Sequence, residues 1–462
     1  MDAVGADPHR NIHLLAQTPE RVRLPVPSAP NAELLAAAYG VSHRIESSRD
    51  APSGGSFAES LEALWSEADE PLSTERGDDA ELAGHRVVLV TNIPAHYRAP
   101  LYESVSTRLE KAGASLEVLF LATAHPSRRF MSDTTHRYGH TVLRTIELPV
   151  GESHRFVPID LEARLVKARP TLIVMSGFSP LVSTRVAAYA AARRVPLGVF
   201  SGEIPSTAAQ RSRSTTAARR LLARRVSFGL AYGSSAAAYL RALSPDLPTV
   251  ITRNTASAPG LREKRSDGEI RVLSVGRLTT GKQTDVVVKA FQTVDDPRLR
   301  LTVIGDGPQR SAVEQLAASD ERITLMGALS SDQTRGSYAA HDVFVFPSRY
   351  DIWGLALVEA MSAGLACITT NAPGAAHDLG VDDKSCLFVR NERSDWEIAL
   401  RRLASDESLA ERLGADASRE IQRRWTMAHS ADAFVAGLRL GARIASSSIV
   451  NRRRRAGTRD SP

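Results

Sequence analysis

The sequence predicts an α/β protein with two Rossmann-like, doubly wound parallel-sheet domains that face each other across a cleft. First, 462 residues are too many for one ordinary hydrophobic core. Second, short β-branched runs alternate with helical segments from His85 onwards, which is the pattern of a parallel sheet covered by helices on both faces. Third, this alternation stops at a polar segment, Asn254 to Gly268, and then begins again.

The predicted organisation has six segments. Residues 1–84 are rich in Pro, Ser, Gly and acidic residues, so we expect a mostly disordered extension with short helices near 31–38 and 58–68. The other five are an N-terminal domain at 85–253, a linker at 254–268, a C-terminal domain at 269–424, a helix at 425–445 that crosses back to the N-terminal domain, and a basic tail at 446–462.

Apolar runs of four to eight residues mark the strands. They lie at 86–91, 115–122, 171–177, 196–202, 228–234 and 248–252 in the first domain and at 269–276, 300–305, 323–327, 342–348 and 366–370 in the second. Ligands of open α/β sheets bind beyond the carboxyl ends of the strands, so functional residues are expected in the loops that follow these runs.

The composition is that of a soluble globular protein. No apolar run reaches the roughly 18 residues of a spanning helix. The first residues lack the pattern of a secretory signal, so a cytoplasmic location is the simplest expectation. Cys367 and Cys386 lie in apolar runs, which predicts buried thiols rather than a disulfide framework.

The formal net charge is +6, and arginines cluster in two places. The clusters are Arg211, Arg213, Arg219, Arg220, Arg224 and Arg225, and the tract 452–455. No nucleic-acid-binding motif accompanies them, so no nucleic-acid partner is expected. An anionic membrane surface and a merely solvated face remain level alternatives. The run 215–233 pairs leucines and alanines with arginines, as interfacial helices do.

The motif VGRLTTGKQ follows the first strand of the C-terminal domain. Gly276 lets the backbone turn tightly at the strand end. Arg277 and Lys282 place two cations on one loop, where the guanidinium as a fork and the ammonium as a point charge can clamp a diphosphate. Two solvated surface cations are the alternative, and the position after a strand favours binding.

The later motif VIGDGPQR has the composition of a strand, a tight turn and a helix start. It lacks the GxGxxG spacing of a dinucleotide-binding loop. We therefore interpret it as a structural turn.

The segment FPSRYDIWGLALVEAMSAGL predicts a strand, a polar loop and a helix that starts near Gly354. Asp351 precedes the first turn, where free N–H groups and the helix dipole favour a phosphate. Glu359 follows about two turns along the helix, in an apolar stretch where a carboxylate needs a partner. The set fits a nucleoside diphosphate sugar, and a helix-capping Asp with an exposed Glu is the alternative.

In that order and spacing, GRLTTGK, GDGP and PSRYDIWGLALVEAMSAGL resemble the retaining glycosyltransferases of family 4, which have the GT-B fold. The resemblance covers about residues 86–442 and is most specific in the C-terminal half. It implies that Arg277 and Lys282 hold the donor diphosphate, that Asp351 contacts the donor sugar, and that Glu359 contacts the ribose. The implied phosphate ligands are the amides of Gly354, Leu355 and Ala356.

One position departs from the family's pattern. Asp351 stands where Glu is common, and it is one methylene shorter, so the sugar contact must be rebuilt or the sugar shifted. The sequence around Trp353 is similar to a bacterial subset with an Asp-X-Trp-Gly motif, which makes Asp351 a variant rather than a defect.

The N-terminal half holds the candidate acceptor-side residues. TNIPAHYRAPLYESV follows the first strand and is similar to the acceptor-side loop of the same subset. Glu203 follows a further strand, where it would stabilise positive charge at the anomeric carbon or orient the acceptor. A glutamate that caps a helix or pairs with a nearby arginine is an equal alternative. The acceptor-side candidates are Asn92, Tyr97, Arg98, Gly177 and Glu203.

The predicted function is the transfer of a sugar, with retention, from a nucleoside diphosphate sugar to a hydroxyl acceptor that is a glycan, a small molecule or lipid-linked. The histidines are scattered and none lies in an H-E-x-x-H motif, so no metal or other cofactor is expected. His96 and His154 are within reach of the cleft, although surface-loop histidines are the more ordinary interpretation. A sugar-nucleotide epimerase and a non-catalytic binding scaffold are the alternatives.

Overall fold

The computed structural model describes residues 79–124, 136–150, 153–263 and 267–457. The helices predicted near 31–38 and 58–68 lie outside these residues. Two parallel sheets, each covered by helices, confirm the predicted fold class.

The N-terminal sheet has seven parallel strands in the order β3-β2-β1-β6-β7-β8-β9. Its strands are β1 (Arg86–Thr91), β2 (Ser115–Phe120), β3 (Gly139–Val142), β6 (Leu172–Ser176), β7 (Leu197–Ser201), β8 (Phe228–Ala231) and β9 (Thr249–Ile251), and an antiparallel hairpin outside the sheet joins β4 (Thr145–Val150) to β5 (Ser153–Pro158). Its helices are α1 (Ala99–Lys111), α2 (Leu161–Ala168), α3 (Pro180–Arg193), α4 (Pro205–Ala208), α5 (Arg213–Ala223) and α6 (Ser234–Leu243).

The C-terminal sheet has six parallel strands in the order β12-β11-β10-β13-β14-β15. They are β10 (Ile270–Val275), β11 (Leu299–Ile304), β12 (Ile323–Gly327), β13 (Val343–Phe346), β14 (Ala366–Thr369) and β15 (Leu387–Phe388). The helices are α7 (Thr284–Gln292), α8 (Arg310–Ala317), α9 (Ser331–Ala339), α10 (Leu355–Ala363), α11 (Gly374–Leu379), α12 (Arg393–Ser405), α13 (Glu407–Arg424) and α14 (Met427–Gly457).

Both sheets reverse their strand order at one point. β1 pairs with both β2 and β6, and β10 pairs with both β11 and β13. Connections on either side of such a point run to opposite faces of the sheet, which leaves a crevice beyond the carboxyl ends of the two central strands. The fold therefore places one crevice after β1 and β6 and a second after β10 and β13.

The last helix, α14, packs against the N-terminal sheet. Phe434 is 1% exposed, and its ring meets Phe200 of β7 edge-on with centroids 5.2 Å apart. The helix continues past residue 445, where the sequence predicts a separate tail, to Gly457. The chain thus crosses from the C-terminal sheet back to the N-terminal sheet after Trp425.

The predicted strands agree with the observed ones to within three residues at either end. Three further elements had no prediction: β3, the β4–β5 hairpin and the two-residue β15. Each lies at an edge or outside the main sheets, so none carries the long buried apolar run that identifies a central parallel strand. Cys367 and Cys386 are buried free thiols, as predicted.

Candidate functional site

The C-terminal crevice contains the motifs identified in the sequence. VGRLTTGKQ begins in β10, and PSRYD follows β13, so the two loops leave the two strands between which the sheet order reverses. The structure thereby brings Arg277, Lys282 and Asp351 to one edge of the sheet. Lys282 and Asp351 are 69 residues apart in the sequence, and the fold brings them into contact.

The GDGP turn supports the loop after β10. A side chain at Gly305 would come within 1.8 Å of the carbonyl oxygen of Gly276, and one at Gly307 within 2.4 Å of that of Leu278. The amide of Leu278 donates to the carbonyl of Asp306 (3.0 Å). The two glycines are therefore required by close backbone approach, which agrees with the structural interpretation of this motif.

Lys282 forms an ion pair with Asp351, and both side chains are mostly buried. The ammonium also lies 4.9 Å from the centroid of the Phe346 ring. Arg277 is exposed, and among the described residues it has no carboxylate partner. The loop thus carries one cation held inside the crevice and one that is free to reach a ligand.

Helix α10 points its first turn into this crevice. Gly354 precedes it with a φ of +92°, a left-handed conformation that glycine adopts without strain. The first bond that closes the helix runs from the amide of Leu357 to the carbonyl of Gly354 (3.0 Å). The amides of Gly354, Leu355 and Ala356 therefore lie before the bonded turns, where helices bind anions. Asp351 Oδ1 accepts from the amide of Trp353 (3.2 Å).

Glu359 has a partner that the sequence did not identify. The hydroxyl of Tyr338 donates to Glu359 Oε2 at 2.9 Å, and Tyr338 is fully buried. Burial raises the pKa of Glu359 to about 7, against the lowering effects of the Tyr338 hydrogen bond and of nearby Arg335. Tyr338 ends a capped helix, α9, just before β13, and it resembles an ordinary core residue, so no local pattern signals its role.

The loop after β1 faces α9 across the cleft. Nδ1 of His96 is buried and has no hydrogen-bond partner. Burial lowers the pKa of His96, and Arg335 lowers it further against the opposing effect of Asp332. Arg335 therefore lowers the pKa of two groups, His96 in the N-terminal domain and Glu359 in the C-terminal domain. His154 lies in the β4–β5 hairpin, opposite Pro149.

Glu203 is held by arginines. Its Oε2 lies 2.9 Å from a guanidinium nitrogen of Arg211 and 3.2 Å from one of Arg219, and the carboxylate is only 11% exposed. Its Oε1 accepts from the hydroxyl of Thr207 (3.1 Å). This geometry favours the arginine-paired alternative over a carboxylate free to act on a substrate.

Arg98 is buried under the floor of the N-terminal crevice. Its guanidinium donates to Asn254 Oδ1 at 2.5 Å and lies 4.5 Å from the centroid of the Tyr232 ring and 4.9 Å from that of Phe200. It joins the end of β1 to the ends of β7, β8 and β9. Arg98 is thus placed to hold the linker, whereas Asn92 in the same loop is exposed.

Tyr97 and Gly177 are the remaining residues that the sequence predicts on the acceptor side. Tyr97 is partly buried and meets His96 edge-on with ring centroids 5.4 Å apart. Gly177 follows β6 with a φ of +65°, and its amide donates to the carbonyl of Phe200 (2.8 Å). Both residues lie at the switch point of the N-terminal sheet.

The two domains touch beside the C-terminal crevice. Both oxygens of Asp378 in α11 accept from the amide of Ser234, at 3.1 and 3.0 Å, where α6 begins. A side chain at Gly233 would overlap the ring of Trp353 at 2.3 Å. Trp353 also stacks near Trp425, with centroids 5.5 Å apart, where the chain crosses between domains. Trp353, in the loop between β13 and α10, thus packs where the chain crosses between the two domains.

Within the described ranges, no group of three or more His, Cys, Asp and Glu side chains is arranged to hold a metal ion. None of the helices described combines the length and apolarity needed to span a bilayer.

Comparison with known proteins agrees with this geometry. Residues 262–420 match the family model of glycosyl transferases group 1. The chain is 28% identical over 200 residues to sulfoquinovosyl transferase SQD2 of Arabidopsis thaliana and 29% identical over 185 residues to D-inositol 3-phosphate glycosyltransferase of Rhodococcus opacus. These alignments cover 42% and 37% of this chain and 39% and 41% of those proteins, so the matched part is well under half of either relative.

Solved structures show the same architecture over a longer span. Anabaena Alr3699/HepE in complex with UDP superposes with a TM-score of 0.62 at 15% identity, covering 76% of this chain and 99% of that one. The lipopolysaccharide outer core galactosyltransferase WaaB gives a TM-score of 0.58 at 14% identity, with coverage of 76% and 99%. The chain therefore has the GT-B fold, and its residues 262–420 match glycosyl transferases group 1.

Proposed function

We propose that the chain transfers a sugar, with retention, from a nucleoside diphosphate sugar to a hydroxyl acceptor. One observation carries this proposal: Lys282, Asp351 and the first turn of α10 converge at the switch point of the sheet that matches glycosyl transferases group 1. Cations and free amides are what a diphosphate requires, and the carboxylates are what sugar hydroxyls require.

The donor would lie across the carboxyl ends of β10 and β13. Arg277 and Lys282 neutralise the diphosphate together with the amides of Gly354, Leu355 and Ala356, so this proposal needs no metal ion or other cofactor. Lys282 exchanges Asp351 for a phosphate oxygen, which frees the carboxylate for a sugar hydroxyl. The HepE complexes with UDP and with UDP-glucose are consistent with such a ligand on this fold.

Transfer breaks the bond between the anomeric carbon and the diphosphate oxygen and forms a bond from the acceptor oxygen on the same face. The acceptor proton passes to an oxygen of the leaving diphosphate. Arg277 and Lys282 stabilise the negative charge that develops on the leaving diphosphate. Preorganised cations and hydrogen-bond donors accelerate a step when they face the atoms on which charge develops. Glu359 is assigned to the ribose and Asp351 to the sugar.

The acceptor would enter over the N-terminal crevice, beside Asn92, Tyr97 and Gly177. Arg98 and Glu203 are assigned supporting positions there, since both are held by neighbouring side chains. Relatives whose names include phosphatidylinositol N-acetylglucosaminyltransferase support an acceptor linked to a lipid. In this proposal the arginines of α5 meet an anionic membrane surface, and the protein is cytoplasmic and peripheral on the inner face of the plasma membrane.

The test is release of nucleoside diphosphate from a panel of sugar donors, with and without a membrane extract. Release that depends on the extract supports transfer. A changed sugar with no acceptor present would indicate an epimerase instead. Binding of a donor without turnover would indicate a non-catalytic scaffold. A protein that neither binds nor turns over any donor would overturn the enzyme proposal.

A further inference from the structure

A cavity of about 240 Å³ opens on the N-terminal domain, away from both crevices. It lies where α3 ends, beside the start of β7, the start of β8 and the far part of α14. Residues of three kinds line it: two arginines, one serine, and small apolar side chains. Those that matter here are Arg194, Arg225, Ser227, Ala190, Ala191 and Ile444.

The charge around this cavity is one-sided. Residues 163–245 contain 13 Lys and Arg and a single acidic residue, Glu203, in a chain whose net charge is +6. Glu203 is already paired with Arg211 and Arg219. Arg194 and Arg225 are exposed, and neither has a carboxylate partner among the described residues. The cavity therefore presents two uncompensated guanidinium groups.

The cavity combines two chemistries in one place. Guanidinium forks and a hydroxyl suit a phosphate group. Alanines and Ile444 form an apolar wall directly beside them. A free inorganic ion uses only the first of these, whereas an amphiphile with an anionic head uses both. The side chain of Leu221 in the neighbouring α5 is 65% exposed, which adds apolar surface to the same region.

We infer that this cavity binds the phosphate headgroup of an anionic phospholipid and so docks the protein on a membrane at a defined point. The inference deepens the proposed membrane partner but concerns a site separate from the donor crevice. Helices α3 and α5 pack together, and α5 begins beyond β7 on the acceptor side. A headgroup held here would lie at the amino edge of the N-terminal sheet, at the end of α5 that is far from the acceptor side of the cleft.

The test is co-sedimentation of the full chain with vesicles of phosphatidylcholine, with and without phosphatidylglycerol. We expect Arg194→Gln with Arg225→Gln to lower the binding constant for phosphatidylglycerol vesicles roughly tenfold or more. The matched control is Lys167→Gln with Arg169→Gln, which removes the same charge from exposed positions at the end of α2, outside both the cavity and α5. A clearly smaller loss in the control supports the site.

Equal losses in the two double variants would overturn it, since diffuse attraction to any positive surface predicts equality. Ala191→Glu provides a second variant, because it places a carboxylate in the cavity at an exposed helical position and keeps a good helix former there. It should lower vesicle binding to a similar degree as Arg194→Gln with Arg225→Gln.

Three further measurements separate the alternatives. The lipid assignment would be overturned in favour of a soluble anion by two results together. Glycerol phosphate would stabilise the wild-type protein, and the protein would show no preference for vesicles that contain phosphatidylglycerol. If RNA binds the wild-type protein through Arg194 and Arg225 as strongly as the vesicles do, the lipid assignment would be overturned in favour of nucleic acid. Donor binding, measured in parallel on each variant, should stay unchanged, so loss of the membrane site and failure of the transferase proposal have different readouts.

Discussion

Tyr338 of α9 and Glu359 of α10 form a hydrogen-bonded pair, with 2.9 Å between the phenol oxygen and Oε2. The phenol donates to Oε2, so Oε1 is the oxygen that the Tyr338 hydrogen bond leaves unoccupied. Burial raises the pKa of Glu359 to about 7, so the charge of this group changes near neutral pH. The hydrogen bond orients the carboxylate assigned to the ribose, while burial raises its pKa against the lowering effect of that bond.

The pH dependence of donor binding follows from this pair. If the carboxylate form binds the ribose, the affinity for nucleoside diphosphate should fall as the pH drops through about 7. Tyr338→Phe removes a hydrogen bond that lowers the pKa, so it should move this midpoint upward and weaken binding at neutral pH. Isothermal titration from acidic to alkaline pH measures the shift. An unchanged midpoint in Tyr338→Phe would refute the pairing.

Stability should show the opposite trend. The folded pKa of Glu359 is raised from 4.5 to about 7, so the native state holds a proton that the unfolded chain has lost in that interval. The free energy of unfolding should therefore decrease as the pH rises from 4.5 to about 7, by about 2 kcal/mol after allowance for the partial exposure of Glu359. Glu359→Gln should remove this slope and reduce donor binding. Urea unfolding at several pH values provides the measurement.

Loss of the loop cation should abolish turnover. Lys282→Ala removes the ammonium assigned to the diphosphate, and Glu359→Ala should have the same outcome through the ribose. Both variants should keep the wild-type circular dichroism spectrum. Lys289→Ala is the matched control, because Lys289 is an exposed lysine of α7 paired only locally with Asp285. Full activity in Lys282→Ala or Glu359→Ala would contradict the donor-site assignment.

Asp351 is expected to contribute to turnover of the sugar donor but not to binding of the diphosphate. Asp351→Asn releases Lys282 from its ion pair, so binding of UDP or another nucleoside diphosphate should be retained or strengthened. Turnover should fall by roughly a hundredfold or more, because the sugar contact is lost. Comparing Kd for the diphosphate with kcat for the sugar donor separates the two effects. A parallel loss of both would place Asp351 in fold maintenance instead.

The contact of Asp378 with Ser234 should couple the domains. Asp378→Ala removes a cap on α6 and should cost about 1 kcal/mol of stability. It should also raise KM for the donor, since the neighbouring Trp353 loses its packing against Gly233. Asp406→Ala is the control: it removes a cap from α13 within one domain, where Asp406 accepts from the amide of Leu409 (3.0 Å). A donor KM changed equally in both variants would argue against coupling.

The sequence by itself determined the parallel strands, the two halves and the loops that follow β10 and β13. Short apolar runs and turn residues are local signals, so they identify these elements without reference to distant contacts. The same holds for Gly354, whose place before a helix and after a polar loop predicts the first turn of α10.

Only the tertiary structure decided which side chains meet. The order of strands joins the end of β10 to the end of β13, and thereby Lys282 to Asp351 across 69 residues. It likewise placed Tyr338 on Glu359 and two arginines on Glu203. The physical reason is that periodicity specifies which face of an element is buried, whereas the neighbours of that face depend on how separate elements pack together.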